Sequence, residues 1–300
     1  LNFDVEVIHC NESEETREDI IQSFEHVARS TEELISDFTY LPSENICKLA
    51  RERGYKVMLS GMGGDEVFAG YPRYYLYRYS RFFKIISKLL RPCKSLIKKI
   101  PRLSKKVDRF YSFFDESHFG EAHSRLIGYF SKDELHDLFM DESLTESYRR
   151  RVGGILEGCS VESNLKKAMY LDLHGFLSHN LMVADKSSMK QSIELRVPLL
   201  DVNLYQYAFS LPDQTLISKF SGKQPLKQLL KPILSKKLVE RPKTGFNPPM
   251  DEKIMKLGSD FVLQIMERGR ACEFLSKDAV RRIVSEHFSG VSNNTYKIFY

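Results

Sequence analysis

The sequence predicts an α/β fold in which part of a parallel sheet is followed by a larger, mostly α-helical half. Three observations predict it. Two short β-prone runs flank helical patterns near the N-terminus, and apolar residues recur every three or four positions after Phe119. The 300 residues are 42% apolar and 28% charged, which suits a core-forming domain and excludes disordered, collagen-like and fibrous chains. No apolar run approaches the roughly 18 residues that a spanning helix needs.

Asp4-Val5-Glu6-Val7-Ile8 alternates polar and apolar, as a strand does, and leads to a helix that starts near Ser13 and covers Ile20 to Leu34. After Leu41-Pro42, Ser43 is the expected N-cap of a helix over Glu44 to Arg53, which closes on Gly54. Tyr55 to Ser60 is the second β-prone run. Strand, helix and strand with short links make a parallel sheet, whose ligands bind beyond the carboxyl ends of its strands, so chemistry is expected from Ser60 onward. From Tyr74 to Tyr111 the chain is basic and aromatic, with amphipathic helices broken at Pro92 and Pro101. The remainder is helical in pattern, with loops expected at Gly153-Gly154, Pro212-Asp213 and Arg241 to Met250. The expected division is a sheet portion at 1–75, a basic helical insert at 76–115 and a helical remainder at 116–300.

The net charge of +5 is unevenly placed: twelve Lys or Arg face one Asp between Arg78 and Arg109. Such a segment suits an anionic membrane surface, non-specific nucleic-acid contact, or a solvated helical pair covering the core; specific nucleic-acid recognition is not expected. Five cysteines, Cys10, Cys47, Cys93, Cys159 and Cys272, are odd in number and form no Cys-x-x-Cys pair, which points to a reducing, cytoplasmic home. His174 and His179 have no second ligand at metal spacing and read as ordinary helix residues. The opening Leu1-Asn2-Phe3 carries no initiator Met and no basic-then-apolar leader, so a signal peptide is not expected and the chain reads as a piece of a longer one.

Ser60-Gly61-Met62-Gly63-Gly64-Asp65-Glu66 carries the chemistry. Its glycines let a backbone approach a ligand and turn N–H groups toward an anion, while Asp65 and Glu66 place carboxylates beside it. Phosphates with a carboxylate-held divalent ion satisfy both halves; a Gly-rich turn whose acids cap the next helix satisfies them equally. The run Asn180 to Met189, which contains Ala184-Asp185-Lys186-Ser187-Ser188-Met189, and the run Ser192 to Asp201 form a second segment, which alone reads as a buried helix and turn with Glu194, Arg196 and Asp201 pairing off. The third segment, from Gly222-Lys223 to Arg241-Pro242-Lys243-Thr244-Gly245-Phe246, alone reads as a solvated basic face.

In this order, the three segments together resemble the synthetase domain of the glutamine-hydrolysing asparagine synthetase family, a branch of the adenine-nucleotide pyrophosphatases. The resemblance runs from Asp37 through SGMGGDEVFAGYPRY, ADKSSM, SIELRVPLLD and the Lys223 region to RPKTGF. It implies an adenine-nucleotide α-hydrolase-like (ATP-pyrophosphatase) domain that uses ATP and Mg2+. By resemblance, Ser60, Gly61, Gly63 and Gly64 contact ATP, Asp65 holds magnesium, and Lys223 and Lys243 lie against the triphosphate and the reacting acyl-phosphate. Glu66 and Asp185 are the acids expected near the acceptor, and Glu194, Arg196 and Asp201 are expected to be architectural. The implied reaction activates a carboxylate, aspartate in the family, as an acyl-adenylate with release of pyrophosphate. Ammonia from an upstream glutaminase domain then makes the amide. Oligomerisation is left open.

Three departures bear on that inference. The family's Ser-Gly-Gly-x-Asp-Ser phosphate loop is absent, so the 300-residue chain alone is expected neither to bind Mg-ATP tightly nor to turn over. Met62 stands where asparagine synthetases carry a glutamate and β-lactam synthetases a tyrosine, and a thioether handles no protons. Lys186 replaces the usual arginine, and Ser178-His179-Asn180 replaces a more acidic stretch. The basic insert is similar to what relatives in polysaccharide assembly are expected to carry, so the alternatives are an amidotransferase acting on a uronic-acid sugar or a non-catalytic scaffold.

Overall fold

The computed structural model describes residues 15–32, 35, 37–94, 97, 101–139, 143–241 and 249–299. The strand expected over Asp4–Ile8, the helix start at Ser13 and Lys243 lie outside the described residues.

Helix α1 spans Arg17–Ser30 and is opened by a capping box: Thr16 Oγ1 accepts from the Asp19 N–H at 3.2 Å, and the Asp19 carboxylate accepts from the Thr16 N–H at 2.8 Å. It stops short of the expected Leu34, because Thr31 turns extended while its hydroxyl donates to the Val27 carbonyl at 3.2 Å. Helix α2, Tyr40–Glu52, begins three residues before the expected cap at Ser43. The cause is Asp37, whose carboxylate accepts from both the N–H and the hydroxyl of Thr39 at 2.8 and 2.7 Å. Pro42 then falls in the first turn, where its missing N–H has no helical partner to lose. Gly54 follows with φ +85, as a helix C-terminal glycine should.

Strand β1, Val57–Leu59, pairs in parallel with β2, Glu194–Arg196, in the register Val57 to Glu194, Met58 to Leu195 and Leu59 to Arg196. Bonds from the Ser60 N–H to the Arg196 carbonyl and from the Glu194 N–H to the Lys56 carbonyl, both 2.8 Å, close its two ends. Among the described residues this two-stranded sheet is all the extended structure apart from one bridge between Ser218 and Ser221. The run Ser192 to Asp201 therefore holds a strand, not a turn with three ions pairing off. Glu194 and Arg196 do pair, at 2.9 Å, but Asp201 instead accepts from the N–H groups of Asn203 and Leu204 at the start of the next helix.

Between the strands lie α3 (Gly64–Val67), α4 (Tyr74–Arg78), α5 (Ser80–Leu89), α6 (Pro101–Asp115), α7 (Phe119–Ile127), α8 (Lys132–Phe139), α9 (Ser143–Glu157), α10 (Asn164–His174) and α11 (Phe176–Lys190). The break expected at Pro92 is present, as a single 3-10 turn over Arg91–Cys93; the residues immediately before Pro101, where the second break is expected, lie outside the described ones, and α6 is described from Pro101. The loop expected at Gly153-Gly154 is not a loop, since both glycines lie within α9. Packing overrides propensity there: Val152 is buried against Gly120, where a Cβ would come within 2.3 Å of the valine methyl.

The main core joins Val67, Phe68, Tyr74 and Tyr77 to Phe113, Leu165, Met169, Phe209, Leu216 and Ile217. Smaller clusters gather Ile20 with Leu257, Val262 and Val284, and Leu138 with Val280 and Ile283. No described helix is long and apolar enough to cross a membrane. Cys47, Cys93, Cys159 and Cys272 are free thiols.

Candidate functional site

Beyond the carboxyl end of β1 the chain makes the turn Ser60-Gly61-Met62-Gly63 and enters α3. Ser60 Oγ accepts from the Met62 N–H at 3.3 Å, and Gly63 has φ +82, a conformation that side chains disfavour. A side chain at Gly63 would also press into Leu200, 2.2 Å from Cδ2, whereas the Cβ position of Gly61 has nothing within 4 Å. The turn is thus anchored on one side and open on the other. The open side forms the floor of a cavity of about 1010 Å³, whose walls come from the start of α2, the start of α11, Tyr129-Phe130 and Tyr296. Aromatic rings dominate those walls: Phe38, Tyr71, Tyr129, Phe130, Phe176 and Tyr296. Charge enters through Asp37, Asp65 and Glu66, and no Lys or Arg lines the cavity among the described residues.

Asp65 and Lys223, far apart in the sequence, meet here with Nζ 3.0 Å from Oδ1. The approach is built by backbone. The Gly70 N–H donates to the Asp65 carbonyl at 2.7 Å, and the Lys223 N–H donates to the Phe68 carbonyl at 3.0 Å. Lys223 itself has φ +55, an unfavourable backbone for a side-chain-bearing residue, held by these bonds. A Cβ at Gly70 would sit 2.0 Å from Asp65 Oδ1 and 2.4 Å from Lys223 Cε, so the pair exists only because position 70 has no side chain.

Glu66 is buried, and its carboxylate accepts from the Tyr71 hydroxyl at 2.6 Å. Burial raises the pKa of Glu66 above 4.5, more than the tyrosine hydrogen bond lowers it. Burial, then the neighbouring Glu66 charge, push the Tyr71 hydroxyl well above its ordinary value, so the phenol stays a donor. The Arg73 guanidinium lies 3.7 Å from the Tyr71 ring centre. Arg73 is in turn held by Asp172, which accepts from Arg73 Nε at 3.0 Å and the Tyr74 hydroxyl at 2.5 Å. His123 Nε2 bonds to the other Asp172 oxygen at 3.0 Å, and Tyr77 bonds to His123 Nδ1 at 2.8 Å. Burial would raise the Asp172 pKa, but the bond and charge of His123, then Arg73 and Tyr74, outweigh it and hold the carboxyl below 3.8. A chain of contacts therefore runs from a fully buried carboxylate to Glu66 at the cavity.

Of the residues expected from the sequence, Ser60, Gly61, Gly63, Asp65 and Glu66 line the cavity. Gly64 lies beneath them, its Cβ position 2.7 Å from Leu199 and 3.9 Å from Lys223 Nζ. Asp185 is exposed on α11, one residue past the cavity-lining Ala184, and is not part of the wall. Lys243 lies outside the described residues. The sequence did not single out Tyr71, Arg73 or Asp172. His179, read as an ordinary helix residue, lines the cavity with its Nε2 buried and without a hydrogen-bond partner among the described residues. The spacing 176, 179, 180, 184 and 187 on one face of α11 was the signal available for it.

A magnesium ion is usually bound by one or two carboxylates together with the phosphates it bridges. Asp65, partly exposed at the glycine turn with the Lys223 ammonium alongside, fits that donor set. Glu116, His118 and Glu121 also bring ligand atoms within 4.8 Å of one another, but Arg149 pairs with Glu121 and Arg125 with Glu116, which neutralises the cluster.

Comparison with known proteins gives the chain a family. A model of the family described as asparagine synthase matches residues 5–300. A Bacillus subtilis protein named asparagine synthetase [glutamine-hydrolyzing] 1 is 24% identical over 270 residues, 88% of this chain and 42% of its own length. Proteins of Mycobacterium bovis and Mycobacterium tuberculosis, provisionally named glutamine-hydrolysing asparagine synthetases, are 26% identical over 275 residues, 89% of this chain and 41% of theirs. The chain thus spans about two fifths of the length of these relatives. No solved structure matches it.

Proposed function

This chain belongs to the asparagine synthase family, and on that basis we propose that it is the ATP-using part of a carbon–nitrogen ligase with an adenine-nucleotide α-hydrolase-like domain. A substrate carboxylate oxygen attacks the α-phosphorus of ATP, forming the acyl-adenylate as pyrophosphate departs. Ammonia then attacks the acyl carbon, loses a proton, and AMP leaves as the amide forms.

The roles follow from the residues. The Ser60–Gly64 turn offers the phosphates space at Gly61 and the N–H groups of Gly61 and Gly63, those of Ser60, Met62 and Gly64 being engaged by Arg196, Ser60 Oγ and Gly61. Magnesium, when bound through Asp65, neutralises phosphate charge. Lys223, 3.0 Å from Asp65, and Lys243 oppose the charge that grows on departing pyrophosphate. Glu66, whose proton affinity burial has raised, takes the proton that ammonia sheds, oriented by the Tyr71 hydroxyl. Asp185 is retained as a candidate at the outer rim of the acceptor site. On this reading residues 1–75 supply β1 and the glycine turn, 76–115 the basic segment, and 116–300 the helical remainder together with β2, in a cytoplasmic protein whose ammonia comes from a glutaminase domain.

The observation that carries the proposal is the Asp65–Lys223 pair, seated on the glycine turn by residues that must be glycine for it to form. Aspartate is the family's acceptor. A uronic-acid sugar is a second reading, favoured by the aromatic walls, which can stack on a sugar ring, and by the absence of Lys or Arg from the described lining to meet a second carboxylate.

The test is carboxylate-dependent ATP–pyrophosphate exchange by the protein expressed from the complete reading frame that contains these residues, with aspartate and hexuronates as acceptors. Exchange with one acceptor, reduced on the order of 100-fold by Lys223→Ala, supports the proposal. Absence of exchange with every carboxylate leaves a scaffold role in its place.

A further inference from the structure

Helix α5 has three faces. Phe83 and Ser87 point inward, where the Phe83 ring meets Phe110 and Phe220, each 6.1 Å away, and Ser87 is buried. At 100° per residue, Phe82, Ile85 and Leu89 share a second face within about 60° of one another. That face is open to solvent: Phe82 is 53% exposed, Ile85 60% and Leu89 71%, and Leu90 just beyond is 45% exposed. Arg81, Lys84 and Lys88 form the third face along its edge, and none of them has a carboxylate partner among the described residues. From Arg78 to Lys94 the chain has six basic residues and no acid. Beside the helix, the Lys219-Phe220 turn repeats the pairing of a basic residue with a half-exposed ring, Phe220 lying 4.5 Å from Tyr79.

We propose that the Phe82–Ile85–Leu89 face of α5, edged by Arg81, Lys84 and Lys88, docks the protein on an anionic lipid bilayer surface. The chemistry selects this partner over others. Lipid buries a Phe, an Ile and a Leu among acyl chains while lysines reach the phosphates, the arrangement of an interfacial helix. Nucleic acid would meet the cations but leave Ile85 and Leu89 against phosphate. A second copy of the chain would set one basic edge against another. Anionic headgroups attract nearby Lys and Arg within a Debye length, so the contact weakens as salt rises.

Sedimentation of the 300-residue chain with sucrose-loaded vesicles tests the proposal, comparing phosphatidylcholine alone with equal parts of phosphatidylcholine and phosphatidylglycerol. The chain should sediment with the anionic vesicles, remain in solution with the neutral ones, and be released by salt. Lys84→Glu with Lys88→Glu should lower partitioning by well over tenfold, at about fivefold per basic residue lost. Ile85→Ser with Leu89→Ser should lower it about tenfold or more. Lys132→Glu, on another helix, should leave it unchanged, with circular dichroism and melting showing each variant folded. No sedimentation with anionic vesicles overturns the proposal. So does undiminished sedimentation of the Ile85→Ser, Leu89→Ser variant, and so does retention on duplex DNA tighter than on vesicles.

Discussion

Removing the Asp172 carboxylate tests the buried network most directly. Its side chain is 0% exposed, that of His123 2% and that of Arg73 15%. In Asp172→Ala, Arg73 keeps its charge without a counter-ion, while Tyr74 and His123 lose their carboxylate acceptor. Each orphaned neutral group costs about 1–3 kcal/mol and an uncompensated buried charge about 3–5, but these overlap, so the net loss should be about 4 kcal/mol. That is a large fraction of the roughly 5–15 kcal/mol available to a folded domain. Urea unfolding at neutral pH should show it as a lower midpoint with the slope unchanged. The pH dependence has a definite sign. The folded carboxyl titrates below 3.8, so its contribution is present above that value and is lost as pH falls through the folded pKa. The gap between the wild-type chain and Asp172→Asn should therefore close in acid. A loss under about 1 kcal/mol for Asp172→Ala, or a gap to Asp172→Asn that stays constant into acid, would refute the reasoning.

Glu66 has the opposite sign: with its folded pKa above 4.5, the wild-type loses stability relative to Glu66→Gln as pH rises, so thermal melting of this variant should exceed wild-type at neutral pH and converge with it near pH 4.5. Gly70→Ala and Gly222→Ala should differ, although both introduce close contacts. At Gly70 the new methyl meets the movable ends of Asp65 and Lys223, so ATP–pyrophosphate exchange should fall more than stability; at Gly222 it meets the Ala69 carbonyl at 2.1 Å, so melting should show a loss of about 1–3 kcal/mol. Met62→Glu should alter acceptor preference in the same exchange assay, and an unchanged preference and rate would remove Met62 from the acceptor site. Thr16→Ala should cost about 1 kcal/mol in denaturant titration through loss of the α1 cap.

What the sequence made legible was local. Tyr55 to Ser60 announced β1, Pro92 announced a helix break, and the spacing of Gly61, Gly63 and Gly64 before two acids announced the floor of the cavity. β2 was hidden because Glu194 and Arg196 flank a single Leu195, a pattern that carries no strand signal until Val57 and Leu59 lie beside it. Gly153-Gly154 suggested a loop because nothing local reports that Val152 packs on Gly120. That Asp65 and Lys223 serve one site came from resemblance alone, and their direct pairing was not legible, since no periodicity links them. Tyr71, Arg73 and Asp172 escaped because their roles depend on each other: an aromatic five residues after Glu66 gains meaning only once a distant carboxylate fixes the arginine stacked on it.

The rings at the two ends of the described chain carry a kinetic consequence. Phe38 packs against Tyr296 and Phe299, with centroids 4.7 and 4.2 Å away, and Tyr129 stacks on Tyr296 at 4.4 Å. Bringing Phe38 to Tyr296 closes a loop of most of the chain, whereas the core from Val67 to Ile217 forms through shorter ones. The five-residue helix Thr295–Phe299 that presents Tyr296 is short enough to fray on its own. By loop length and helix length, ring closure at that wall is expected late in folding and early in unfolding, alongside the Ile20–Val284 contact that closes an equally long loop, and hydrogen exchange faster at Tyr296 than at Met169 would show it.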